Sequence, residues 1–205
     1  MPEAPRATTE DPVGLGRIVA FSDGVFAVAI TLLVLAIDAP RLTDEQAKHE
    51  LTDALLDSAD QVAVYFFTFA LIGLFWIGHH RFFGEVHDFD TGLMALNLLY
   101  LSLIAFLPFP SSVYGDHSET EAAVVFFALS MGVIGVVDAL MLWYAARREL
   151  LKRRFMAEWR SSLWRNLVVP AVFFGSIPIA LVAPTVAPWT WLILFPITRF
   201  PLKSR

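Results

Sequence analysis

Hydrophobic and polar positions in this chain fall into long blocks, not into the alternation of strands or the one-sided stripes of surface helices. Apolar runs cover about 17–37, 61–83, 92–114, 121–146, 163–183 and 186–200. Most approach or exceed the roughly 20 residues a helix needs to cross a ~30 Å hydrocarbon layer at 1.5 Å per residue. The pattern predicts an all-α membrane protein with six transmembrane helices. The last block is the shortest and is bracketed by Pro188 and Pro196. Ahead of the second block, Thr43 and Gln46 stand at capping-box spacing. Leu51 and Leu55 follow at helical spacing, so this segment is expected to extend the second span as an amphipathic helix. Pro108 and Pro110 should kink or end the third span, and Pro170 and Pro178 should bend the fifth.

Composition agrees with the blocks. The chain is 57% hydrophobic and 17% charged, against about 45–50% and 25% in ordinary globular domains. It has no cysteine, which removes disulfides, thiolate metal sites and a Cys nucleophile. The distribution of charge sets the orientation. Between the first two blocks lie Asp38, Asp44, Glu45, Glu50, Asp53, Asp57 and Asp60 against Arg41 and Lys48, and "YGDHSETE" is acidic too. Arg147, Arg148, Lys152, Arg153, Arg154, Arg160 and Arg165 crowd the loop before the fifth block, and Arg199, Lys203 and Arg205 end the chain. Lys and Arg concentrate on the cytoplasmic side. Both termini, the Arg81 loop and the Arg147–Arg165 loop are therefore expected inside, which an even number of spans satisfies. The expected organisation is a disordered tail over 1–16, a membrane domain over 17–200 and a basic cytoplasmic end over 201–205.

The first block contains Ser22 and Asp23 in "FSDGVFAVAITLLVL". An unpaired carboxylate in the hydrocarbon costs about 2.5–3.5 kcal/mol or more. Arg17, six residues earlier, is on another part of the helix surface and is a poor partner. Asp23 is expected to reach a neighbouring helix, where His79, His80 and Asn97 lie at similar depth, forming one polar cluster with Ser22 that clamps the helix. Gly24, Val28, Thr31, Leu32 and Leu35 fall at i, i+4, i+7, i+8 and i+11, on one face. This stripe reads either as a pore lining or as a helix–helix seam of small residues, with Thr31 bonded back to the carbonyl of Ala27.

Arg17, Phe21, Ser22 and Asp23 form an R-x-x-x-F-S-D pattern, with Thr31 eight residues after the Asp. Together with "FWIGHHRFF" and "NLLYLSLIAFLPF", this resembles the transmembrane protein 175 family of potassium channels, in its bacterial, single six-helix-repeat branch. The resemblance implies a homotetramer in the bacterial plasma membrane, with the first helices lining a pathway for monovalent cations and no cofactor. Carried over by position, the constriction falls on Val28, with further layers at Leu32 and Leu35, and the selectivity hydroxyl on Thr31. The helix-clamping network falls on Arg17, Ser22 and Asp23, supported by Trp76, His79 or His80, and Asn97. Relatives tend to carry a bulkier Ile or Leu where this chain has Val28, which implies a wider constriction. Without a T-V-G-Y-G-type carbonyl filter, gating falls to the apolar ring, by dewetting, and the preference for potassium over sodium is expected to be modest.

Other motifs have simpler readings. His79 and His80 point about 100° apart and lack an H-E-x-x-H context, so hydrogen bonding is preferred over metal or haem ligation. Asp138 lies near the middle of a span and is expected to bond to a neighbouring helix, a proton path being the rival. The basic run next to membrane spans reads as a positive-inside signal touching anionic headgroups rather than nucleic acid. No phosphate loop or nucleophile elbow is present, so no enzyme is expected. The rival functions are a proton-coupled transporter using Asp23 and Asp138, and a non-conducting structural protein.

Overall fold

The computed structural model describes residues 12–194, and regular structure among them is helical apart from one isolated bridge between Val86 and Leu151. Helix α1 spans Pro12–Leu32 and tightens into a 3-10 turn over Leu33–Ala36. It starts inside the stretch 1–16 expected to be a disordered tail, because proline fits the first helical turn, where its missing N–H would have no intrahelical acceptor. Helix α2, Asp44–Asp57, opens with the expected Thr43–Gln46 capping box. It does not run on into the second span. Ser58 breaks it, donating from Oγ to the Ala54 carbonyl at 3.1 Å, a back-bond that competes with helix continuation. Helix α3 then covers Ala59–Glu85.

Helices α4 (Thr91–Phe106) and α5 (Pro108–Asp116) form one crossing broken at Leu107. Pro108 at the first position of α5 ends the preceding helix, as expected. Helix α6, Glu121–Arg147, is the hub: Val124, Phe127, Met131 and Ile134 are fully buried, and α4, α5, α7 and α8 all pack against it. Helices α7 (Trp159–Asn166) and α8 (Val168–Ala180) form a further crossing with a joint at Leu167, just ahead of Pro170.

Five helical segments among the described residues are long and apolar enough to cross a membrane: Gly14–Ala36, Ala59–Glu85, Thr91–Asp116, Glu121–Arg147 and Trp159–Ala180. The sixth expected block, 186–200, begins as a 3-10 helix over Ala187–Ile193, anchored by the buried Trp191, whose Nε1–H donates to Ser176 Oγ at 2.9 Å. Residues 195–200 of that block, residues 1–11 of the expected tail and the basic end 201–205 lie outside the described residues.

The two ends of the bundle are tied by different chemistry. At the acidic end, Gln61 Oε1 accepts the Asp38 N–H at 3.0 Å, while its Nε2 donates to Asp116 Oδ1 at 2.8 Å. One amide thus joins the first, second and third crossings. At the basic end, Arg154 makes a forked pair with Glu85 at 3.0 and 2.9 Å, and Lys152 Nζ donates to the Gly84 carbonyl at 2.6 Å. The chain leaves α6 through Glu149 at φ 57°, with Leu150 N–H donating to the Ala145 carbonyl at 2.9 Å. This is a Schellman-type ending in which a Glu occupies the left-handed position usually held by Gly.

Asp90 caps α4 by accepting the Leu93 N–H at 2.8 Å, and also accepts from the Tyr144 hydroxyl at 2.9 Å and Arg148 Nε at 3.2 Å. Desolvation pushes its carboxyl up, but the Leu93, Tyr144 and Arg148 hydrogen bonds outweigh this and hold it below the ordinary value of 3.8. Stability from a depressed carboxyl is complete above the ordinary value and is lost as pH falls through the folded-state value. The stability difference between the native chain and Asp90→Asn is therefore expected to stay constant down to about pH 3.8 and to close below it. Thermal unfolding in detergent across that range checks this, and a gap closing well above pH 3.8 would contradict it.

Helices α6 and α8 approach closely through Gly132 and Gly135. A Cβ at Gly135 would lie 2.7 Å from Pro170 Cδ and 3.1 Å from its backbone nitrogen, whereas one at Gly175 meets nothing within 4 Å. Gly135→Ala is expected to destabilise by about 1–3 kcal/mol through overpacking. Gly175→Ala should be neutral or stabilising by a few tenths, since alanine is the better helix former. Equal melting temperatures for both variants would show that α6 and α8 are not in contact there.

Candidate functional site on the first membrane helix

The two faces of α1 differ in burial. Ser22, Phe26, Ala29 and Leu33, at i, i+4, i+7 and i+11, are buried against the rest of the chain. Gly24, Val28, Thr31, Leu32 and Leu35 are exposed, Val28 at 56% and Leu35 at 76%. The expected stripe is thus one continuous outward surface, uncovered by any other element of the described residues, and Phe21, Val28 and Leu32 border a shallow groove of about 450 Å³ beside Ala105 of α4. A Cβ at Gly24 would meet nothing within 4 Å. Leu35 sits on the 3-10 turn, not on a continued α-helix, so its angular position is set by the tightened final turn. The Thr31 hydroxyl donates to the Val28 carbonyl at 2.9 Å, one residue along from the Ala27 carbonyl expected. Thr31 itself stays exposed.

The expected single polar cluster is two separate clamps. Ser22 and Asp23 are adjacent, so their side chains leave the helix about 100° apart and meet different neighbours. Asp23 Oδ1 accepts the Trp76 Nε1–H of α3 at 2.8 Å. His80 is exposed and its ring lies tilted beside Trp76, 5.8 Å between centroids, so it neighbours Asp23 only through that indole.

Ser22 belongs to a buried chain across α1, α4 and α3. Ser22 Oγ donates to the Ile18 carbonyl at 2.9 Å and accepts Asn97 Nδ2–H at 3.2 Å. With the amide so oriented, Asn97 Oδ1 accepts from His79 Nε2–H at 2.8 Å. His79 is 1% exposed and is walled by aromatic rings: Tyr100 stacks parallel to it at 5.6 Å, with Phe83 at 4.6 Å and Phe26 at 5.5 Å. His79 Nδ1 and the Tyr100 hydroxyl, both in this stack, have no hydrogen-bond partner among the described residues.

Two residues fall outside the network. Arg17 is exposed and makes no hydrogen bond or ion pair among the described residues, so the clamp forms without it. Asp138 bonds to a neighbouring helix, as expected, accepting Asn166 Nδ2–H at 2.7 Å, and takes no part in the contacts of α1. Sequence reasoning missed Gln61, which anchors the other end of the first crossing. Its only signal was a polar side chain at the start of an apolar block.

The family model described as "Endosomal/lysosomal potassium channel TMEM175" matches residues 17–108, the stretch holding every residue of both clamps. A solved structure of a lysosomal potassium-selective channel TMEM175 homolog from Chamaesiphon minutus superposes with a TM-score of 0.66 at 31% identity, covering 89% of this chain and 98% of that one. The chain belongs to the TMEM175 family. A potassium channel from Streptomyces collinus is 35% identical over 136 residues, 64% of this chain and 65% of the relative. The human endosomal/lysosomal proton channel TMEM175 is 27% identical over 196 residues, 92% of this chain but 38% of the relative. The chain thus spans under two thirds of the length of these two relatives. It is a multi-pass membrane protein.

In this TMEM175 chain the buried relay makes Asn97 the shared partner of two helices. Asn97→Ala leaves His79 Nε2 without its partner and Ser22 Oγ with only its bond to the Ile18 carbonyl, at about 1–3 kcal/mol for the unsatisfied buried group. A clearly lower melting temperature in detergent is expected; a variant as stable as the native chain would show that the relay does not hold α1.

Proposed function

We propose that this chain is a potassium-permeable cation channel, assembled as a homotetramer with α1 at its centre. The observation that carries this reading is the two-faced burial of α1. Its inward face is anchored by Ser22 and its flank by Asp23, and its outward face presents Val28, Thr31, Leu32 and Leu35 to whatever lies beyond the subunit. Closed cyclic symmetry would bring four such faces together around one axis. The potassium-channel names of the Streptomyces and Chamaesiphon relatives support the same reading.

Rings of Val28, Leu32 and Leu35 would gate by excluding water, opening when the constriction widens enough to hydrate. The Thr31 oxygen, facing outward while its hydrogen is held by the Val28 carbonyl, would offer a ligand to a partly dehydrated cation. This is a weak discriminator, so potassium is preferred over sodium only modestly. The acidic loops at the Gln61 end would raise cation concentration at one mouth, less so at high salt.

The test is flux from liposomes holding only the purified protein, under potassium, sodium or proton gradients. Passive flux, larger for potassium than sodium, is expected. Flux that appears only under an imposed proton gradient would make the chain a proton pathway, as the name of the human relative describes that protein. No flux at all would leave a structural membrane protein. Val28→Asn and Leu32→Asn hydrate the constriction. Removing about 1.4 kcal/mol of barrier raises flux about tenfold, and unchanged flux in both variants would sink the pore assignment.

A further inference from the structure

The run Arg147–Arg165 holds seven Lys and Arg residues against Glu149 and Glu158, and the fold divides them by task. Arg148 pairs with Asp90, Arg154 with Glu85, and Lys152 Nζ is held by the Gly84 carbonyl. Those three fasten the loop to the bundle. The basic side chains of α7 do something else. Trp159 and Leu163 pack inward on the core and Ser162 is buried, so the opposite face presents Arg160, Trp164 and Arg165. Among the described residues neither guanidinium pairs with an acid: Arg160 lies 5.6 Å over the Trp159 ring, and Arg165 Nη2 donates to Ser162 Oγ at 2.9 Å. Between them Trp164 is 74% exposed.

The position of this face matters as much as its charge. Helix α7 passes through Leu167 into the apolar α8, and the two form one crossing, Trp159–Ala180. The Arg–Trp–Arg face therefore stands at the end of a membrane span, where hydrocarbon gives way to headgroups. An indole is favoured at that depth, having an apolar body and one polar edge. Guanidinium groups offer planar paired donors that match phosphate oxygens. Each guanidinium is oriented by an intrachain contact, so less freedom is lost when an anion binds.

We propose that Arg160, Trp164 and Arg165 form a binding site for the phosphate headgroup of an anionic phospholipid, with the indole of Trp164 seated at the headgroup boundary. Charge complementarity and depth select a lipid over a free phosphate ion, which would gain nothing from the exposed indole.

Native mass spectrometry of the detergent-purified protein, titrated with phosphatidylglycerol, phosphatidylcholine or inorganic phosphate, tests this. Phosphatidylglycerol should be retained over phosphatidylcholine at equal concentration, and excess inorganic phosphate should not displace it. R160Q/R165Q should lose that preference, by roughly fivefold for each guanidinium removed, and R160K/R165K should recover part of it. Trp164→Ala, at an exposed side chain that leaves the core untouched, should also lower retention. Arg153→Gln, also exposed but off α7, should leave retention unchanged. The proposal falls if the native chain retains both lipids equally, if inorganic phosphate competes, or if R160Q/R165Q or Trp164→Ala retains phosphatidylglycerol as the native chain does. A loss in Arg153→Gln as large as in R160Q/R165Q would overturn it as well, since net charge would then suffice without this face.

Discussion

A polar group placed in hydrocarbon has to find its partner within the protein, and this requirement sets the rotation of α1. Ser22 and Asp23 cannot be satisfied by one neighbour because they leave the helix in different directions. The fold answers with Asn97 from α4 for one and Trp76 from α3 for the other. Two bonds to two helices, about 100° apart, define an angle that a single bond could not. Turning α1 by one residue would bury Asp23 against the aromatic wall around His79 and leave Ser22 outside. The apolar contacts of Phe26, Ala29 and Leu33 tolerate small rotations at little cost, whereas the polar pairs do not. The outward position of Val28 and Thr31 is therefore a consequence of what happens on the other face.

The same helix is fastened at its far end by Gln61, which takes the Asp38 N–H and passes the tie on to Asp116. Between these anchors lie Gly24 to Ile37, without a side-chain bond to another helix, and this stretch includes the change from α-helix to 3-10 turn at Leu33. Conversion between these two helix types rotates and lengthens the last turn. A widening of the apolar layers would thus be accommodated in the final turn, with both anchors in place, and Leu35 would move more than Val28.

Much of this was legible in the chain, because hydrophobic block length is a direct physical requirement of the bilayer. The first five blocks, the capping box at Thr43 and the break at Pro108 follow from local rules and are seen in the structure. That Gly24, Val28, Thr31, Leu32 and Leu35 share one face follows from periodicity, and Trp76 entered the network through family resemblance; that the face is outward and that Trp76, not a histidine, meets Asp23 needed the structure. What stayed hidden depends on tertiary geometry. Nothing local separates His79 from His80, since both sit on one helix and only the packing of Phe26 and Tyr100 selects the first. The split of one expected cluster into two clamps needed the positions of α3 and α4. Gln61 was unreadable because its partners, a backbone N–H and a carboxylate, are 23 and 55 residues away. Ser58 looked helical by composition, and its hydroxyl overrode the pattern.

Relatives with this architecture carry the names of potassium channels and of a proton channel. The Ser22–Asn97–His79 relay is buried, whereas the Asp23–Trp76 bond is exposed, and the outward face of α1 is the apolar surface beside it on which relatives could differ in permeant ion. A proton crosses an apolar layer along a thin thread of water, whereas a potassium ion needs room for part of its hydration shell. The volume at the narrowest ring then decides between them more strongly than any charge. Val28 has one carbon fewer than Leu or Ile, and on the reading proposed above four such positions act together on one cross-section. On that reading a small side chain at the ring would favour the larger, hydrated ion, by lowering the cost of wetting the layer rather than by binding the ion. The price would be a gate that closes less firmly, with the Leu32 and Leu35 layers as the main barrier at rest.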